Sequence, residues 1–133
     1  MNKVEHIGIA VKNLKDAGSV YERLLGVKSY KQEAVDSEFV ITEFFKVGDT
    51  KIELLEASSE KSAVASFIEK RGEGIHHIAF AVENIHEEMA RLKSEGFILL
   101  NEVPKKGADN KLVCFVHPKS AHGVLIELCQ EIK

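Results

Sequence analysis

Two stretches of the chain alternate bulky apolar residues with small or polar ones at a period of two, and each then shifts to helical spacing. In His6–Val11, HIGIAV, residues Ile7, Ile9 and Val11 share one face of a strand, and His6, Gly8 and Ala10 share the other. In His77–Val82, HIAFAV, the bulky face is Ile78, Phe80 and Val82, and the small face is His77, Ala79 and Ala81. The bulky faces are expected to pack under helices. The small-residue faces are expected to line a concave surface with room for a ligand, with one histidine standing on each. Helix starts are predicted at Asn13 and Asn84, followed three residues on by Asp16 and Glu87 in capping-box spacing. Gly26 and Gly96 suit the C′ position that ends each helix.

These stretches belong to a longer repeat. Val4–Val27 aligned with Ile75–Ile98 sets His6 on His77, Gly8 on Ala79, Ala10 on Ala81 and Asn13 on Asn84. The halves also end alike, in TKIELLE and GVLIELCQ, each containing Ile-Glu-Leu. Between strand one and the closing strand, further strands are predicted at Val27–Ala34 and Glu38–Val47 in the first half. In the second half they are predicted at Phe97–Val103 and Lys111–His117. The segment Ser62–Gly74 reads as a short linking helix stopped by Gly72 and Gly74. The expected fold is α+β. It has two tandem βαβββ modules in one domain, module 1 about 1–57, linking segment about 58–74 and module 2 about 75–133. A repeat of about 70 residues is too long for a solenoid unit.

Composition narrows the function classes. The chain of 133 residues has 44% apolar and 29% charged residues, the balance of a soluble globular protein. A formal net charge of −3 and the lack of a basic tract with interleaved aromatics argue against nucleic acid as a partner. No apolar run approaches the roughly 20 residues needed to cross a bilayer. The start of the chain is strand-like, so a cytoplasmic protein is expected. Cys114 and Cys129 lie in apolar β-like runs and read as buried reduced thiols.

The repeat also pairs two unusual glutamates. Glu53 in KIELLE and Glu127 in VLIELC each sit between apolar neighbours within a strand. A buried carboxylate is costly unless it is paired or metal-bound. One such residue could be an exposed edge glutamate, but two at equivalent places argue for a role. Two histidines and two glutamates, His6, His77, Glu53 and Glu127, form an N₂O₂ set suited to a divalent ion. The alignment selects His77 over His76, which matches Glu5 and points the other way. His86, His117 and His122 fall at a helix start or in loops and read as surface or supporting residues.

On HIGIAVKNL, VGDTKIELLE, EKRGEGIHHIAFAVENI and FVHPKSAHGVLIEL, the chain resembles the vicinal-oxygen-chelate superfamily of glyoxalases and bleomycin-resistance proteins. GEGIHHIAF joined with HPKS and GVLIEL is similar to its methylmalonyl-CoA epimerase branch. The resemblance implies a cup-shaped mixed sheet around one divalent metal such as cobalt, zinc or nickel, with helices outside. It implies the ligands His6, His77, Glu127 and Glu53, an acyl-CoA substrate and a homodimer. The implied reaction is epimerisation at C2 through a stabilised enolate. Glu127 is the first candidate for moving the proton, and Glu43 in VITEFFKVG, sharing parity with Phe45 and Val47, is the second. Lys119 in HPKS is either a substrate-anion contact or a solvated loop lysine. The alternatives are a glyoxalase I-like isomerisation of a hemithioacetal and sequestration of a small molecule without catalysis. The segments KQEAVDSEFVI, ASSEKS and KKGADNK depart from the epimerase pattern.

Overall fold

The computed structural model describes residues 1–133. Its elements run β1 (Lys3–Ala10), α1 (Leu14–Leu25), β2 (Lys31–Val35), β3 (Val40–Val47), β4 (Thr50–Ala57) and α2 (Ala63–Arg71). They continue with β5 (Gly74–Ala81), α3 (Ile85–Ser94), β6 (Lys105–Lys106), β7 (Lys111–Val116) and β8 (Ile126–Glu131). Two βαβββ modules therefore follow one another, in the α+β class read from the repeat. The chain divides into two compact units, His6–His76 on one side and Met1–Glu5 with His77–Lys133 on the other. The first residues of β1 thus group with the second module. The Asn2 N–H donates to the Ala81 carbonyl at 2.8 Å.

In the unit His6–His76 the strand order is β2-β3-β4-β1, with β1 parallel to β4 and the other pairs antiparallel. One face packs under α1, where Val11, Leu14, Phe45 and Leu54 are buried with Ile9, Tyr21 and Ile52 around them. The Asn13 side chain accepts from the Asp16 N–H at 2.9 Å, which satisfies one of the open donors of the first turn. The helix ends at Gly26, whose φ of 72° suits a residue without a Cβ. The opposite face is covered at one end by α2, as Val64, Phe67 and Ile68 pack on Ala10 and Leu55. The open space expected beside Ala10 is therefore occupied. The apolar stripe of α2 needs a partner, and a small residue lets the helix approach closely.

In the second unit the order is β5-β8-β7-β6, with β5 parallel to β8. Val82, Ile85, Met89, Leu92, Cys114, Val116 and Leu128 form the buried core under α3. Asn84 caps α3 by accepting from the Glu87 N–H at 3.1 Å. The predicted strand Phe97–Val103 is reduced to a single bridge between Leu99 and Val116. The backbone follows β7 through Leu100 N–H to Phe115 O and His117 N–H to Ile98 O, each at 2.8 Å. At Asn101 a side chain takes over from the backbone. Its Oδ1 accepts from the Phe115 N–H at 3.0 Å, and its Nδ2 donates to Val113 O at 3.3 Å. The short strand β6 then forms at Lys105–Lys106, between the two predicted strands.

The two modules share a second device. The Leu14 N–H at the start of α1 donates to Glu56 Oε1, and the Ile85 N–H at the start of α3 donates to Gln130 Oε1, both at 2.7 Å. The closing strand of each module thus caps that module's helix. The thiols cannot pair, because the register sets Val113 opposite Cys129 and Cys114 opposite Leu128, on different faces. Both cysteines are buried, and neither forms a disulfide. Burial pushes the Cys114 thiol up and keeps it protonated at neutral pH.

Candidate metal centre

Parallel pairing sets the geometry in each unit. Gly8 of β1 lies opposite Glu53 of β4, so Glu53 stands two residues along the face from His6. His6 Nδ1 lies 3.1 Å from Glu53 Oε2. In the second unit Ala79 of β5 lies opposite Glu127 of β8, the same step from His77. His77 Nε2 lies 3.2 Å from Glu127 Oε1. All four residues are buried, with between 4% and 6% of their surface exposed. Two carboxylates held out of water are expensive unless a proton donor or a cation compensates them. Each has an imidazole against it, and the duplication supplies the arrangement twice.

The donor chemistry fits a divalent ion. Ligands at about 2.0–2.2 Å from one ion stand about 3.0–3.5 Å from each other at tetrahedral or octahedral angles. Both His–Glu separations fall in that range, so each couple is spaced as two neighbouring ligands would be. An imidazole and carboxylate set suits zinc, cobalt or nickel better than magnesium or calcium.

A phenylalanine stands beside each couple, and sequence reasoning missed both. Phe44 of β3 lies directly opposite Glu53, and Phe115 of β7 directly opposite Glu127. Phe115 also meets the His77 ring edge-on, with centroids 6.0 Å apart and planes at 86°. The signal was present, since each belongs to the strand before an Ile-Glu-Leu strand. Such a ring shields its carboxylate from water on one side and limits how the imidazole can turn.

Glu43 corrects the parity argument. It does lie on the face of Phe45, but that is the face under α1, since Glu43 pairs with Leu54 and Phe45 with Ile52. Phe44 and Thr42 occupy the face of Glu53. Glu43 Oε2 accepts from Ser29 Oγ at 2.9 Å and from Gln32 Nε2 at 3.2 Å. It sits in an open cleft of about 520 Å³ with Gly18, Ser19, Glu22 and Glu56 among its lining residues. A methyl group at the buried Gly18 would run into Glu43 Oε1, so the helix carries a glycine where this carboxylate lies.

The other candidates have plainer places. His76 stacks edge-on against Phe67 of α2, with centroids 5.0 Å apart, and so points away from the face of His77. His86 is the second residue of α3. His117 accepts from the Lys119 N–H at Nδ1, 3.0 Å away, and caps the short 3₁₀ turn Pro118–Ala121. Lys119 is exposed on that turn, and His122 ends it in the left-handed conformation.

A duplicated βαβββ chain with a buried His–Glu couple at the same register position in each half defines a class of small α+β proteins with a candidate ligand pair in each module. The chain belongs to the Glyoxalase/Bleomycin resistance protein/Dioxygenase superfamily, whose profile matches residues 5–115. It is 42% identical over 130 residues to the uncharacterized protein YqjC of Bacillus subtilis, covering 98% of this chain and 93% of that one. It is 39% identical over 132 residues to the ethylmalonyl-CoA/methylmalonyl-CoA epimerase of Cereibacter sphaeroides, covering 98% of both. Among solved structures, it is similar to methylmalonyl-CoA epimerase from Mycobacterium tuberculosis. That similarity has a TM-score of 0.93 at 34% identity, over 98% of this chain and 88% of the other.

Proposed function

We propose that the chain is a metal-dependent epimerase that interconverts the 2R and 2S forms of methylmalonyl-CoA. The observation that carries this reading is the buried His–Glu couple built twice at the same register, in a chain whose relatives include epimerases of this thioester. The resemblance implies that His6, Glu53, His77 and Glu127 would hold one divalent ion. When bound, such an ion supplies Lewis-acid stabilisation of negative charge on the acyl oxygens.

The C2–H of methylmalonyl-CoA lies between a thioester and a carboxylate, which makes it acidic for a C–H bond. Inversion requires the proton to leave one face of C2 and return to the other. Glu127 accepts that proton: the C2–H bond breaks, its electron pair moves into the thioester carbonyl system, and the proton rests on the carboxylate. A solvent proton returned to the opposite face forms the new C2–H bond, the proton on Glu127 passes to solvent, and no oxidant or reductant is needed. His77, 3.2 Å from Glu127, holds the carboxylate in place and offsets its charge. Phe115 keeps water from the same carboxylate. Glu43 has no part in this chemistry, because it lies on the face under α1. A homodimer belongs to the same proposal, on the resemblance alone; no helix is long and apolar enough to cross a membrane.

Stripping with a chelator and reloading with cobalt or zinc tests the proposal. Epimerisation of methylmalonyl-CoA should fall at least about a hundredfold on stripping and return on reloading. Turnover of a methylglyoxal–thiol hemithioacetal, with no conversion of methylmalonyl-CoA, would instead assign the chain to the glyoxalase I chemistry.

A further inference from the structure

On the face of the first unit that carries His6 and Glu53, three side chains form a row across three strands. Lys31 of β2 lies opposite Phe44 of β3, and Phe44 lies opposite Glu53 of β4. Lys31 Nζ stands 4.7 Å from the centroid of the Phe44 ring. The ring is fixed, since Phe44 is fully buried and Tyr30 packs on it at 5.9 Å between centroids. The ammonium thus lies against the ring that stands directly opposite Glu53. Glu33 Oε1 lies 3.5 Å from Lys31 Nζ, and both side chains are about one-third exposed, so the ammonium is positioned yet still reachable from solvent.

The second unit has a partial counterpart. Lys105 Nζ stands 5.8 Å from the centroid of Phe115, and Phe115 lies opposite Glu127. The match is partial: Phe115 is only partly buried, and β6 sets Lys105 opposite Val113, two residues along the strand from that ring. Held over an aromatic face, an ammonium keeps its charge and gives up part of its hydration, which suits it to meet an anion.

We infer that Lys31 contacts the free carboxylate of the acyl group and so selects malonyl-type thioesters over those that lack this carboxylate. The inference rests on the epimerase reading, because that reading brings a carboxylate-bearing acyl group to the face of Glu53. The more distant anions of the same substrate, the CoA phosphates, are the alternative source of negative charge.

Calorimetric titration of metal-loaded wild type, Lys31→Gln and Lys31→Arg with methylmalonyl-CoA and with propionyl-CoA tests the assignment. Propionyl-CoA carries the same phosphates but no acyl carboxylate. Lys31→Gln should weaken methylmalonyl-CoA binding roughly tenfold and leave propionyl-CoA within about twofold. Lys31→Arg, which keeps the charge, should recover most of the loss. Equal weakening for both thioesters would place the contact on the phosphates and overturn the inference, and so would no weakening at all. Wild type that binds and epimerises methylmalonyl-CoA beside an unchanged Lys31→Gln would refute Lys31 alone. Wild type that neither binds nor turns it over would refute the epimerase reading and this inference with it.

Discussion

Glu127 and Glu43 are both strand glutamates among apolar neighbours, and the sheet treats them differently. Glu127 is buried against His77 on the face of Ala79. Glu43 lies under α1 with Ser29 and Gln32 as its partners. Glu127→Gln should lower the epimerisation kcat about a thousandfold or more, because the substitution removes the proposed proton acceptor and the proposed metal ligand at once. Glu43→Gln should stay within about threefold of wild type, because it changes hydrogen bonds on the other face of the sheet. Steady-state kinetics on both variants checks the pair. Parity placed the histidines and the two Ile-Glu-Leu glutamates because their strands alternate cleanly. It misled at Glu43 because Thr42, Phe44 and Phe45 are all buried, so both faces of that strand look apolar from the sequence.

At the scale of elements, the caps show what the repeat makes legible and what it leaves out. Asn13 and Asn84 were readable because a cap acts over three residues of the local chain. Glu56 and Gln130 were not, because each reaches a helix start more than forty residues away, a contact that only the β-sheet brings about. The two modules use Glu and Gln for the same bond, which gives a prediction without further assumption. Glu56→Ala should destabilise the protein by about 1 kcal/mol, the usual cost of losing an N-terminal cap, while Glu56→Gln should be close to neutral. Urea denaturation measures both. Asn101 is a similar case: the run Phe97–Val103 reads as a strand by its hydrophobicity, yet a side-chain amide replaces the ladder after Leu100.

At the scale of the whole chain, duplication is the organising fact. Each unit carries one His–Glu couple, one phenylalanine across from the glutamate and one lysine over that ring. The duplicated parts of the site were legible because two copies could be compared, while the row of Phe44 and Lys31 depends on strand register and emerged only from the structure. The central claim is that this duplicated set supports proton removal and return at C2 of a malonyl-type thioester. The most direct measurement follows a single epimer of methylmalonyl-CoA with metal-loaded protein in D₂O by proton NMR. The C2–H signal should be lost at the rate of enzyme turnover as the other epimer appears, and neither change should occur with Glu127→Gln. Retention of the C2–H signal at wild-type protein concentrations that exceed the substrate would contradict the claim.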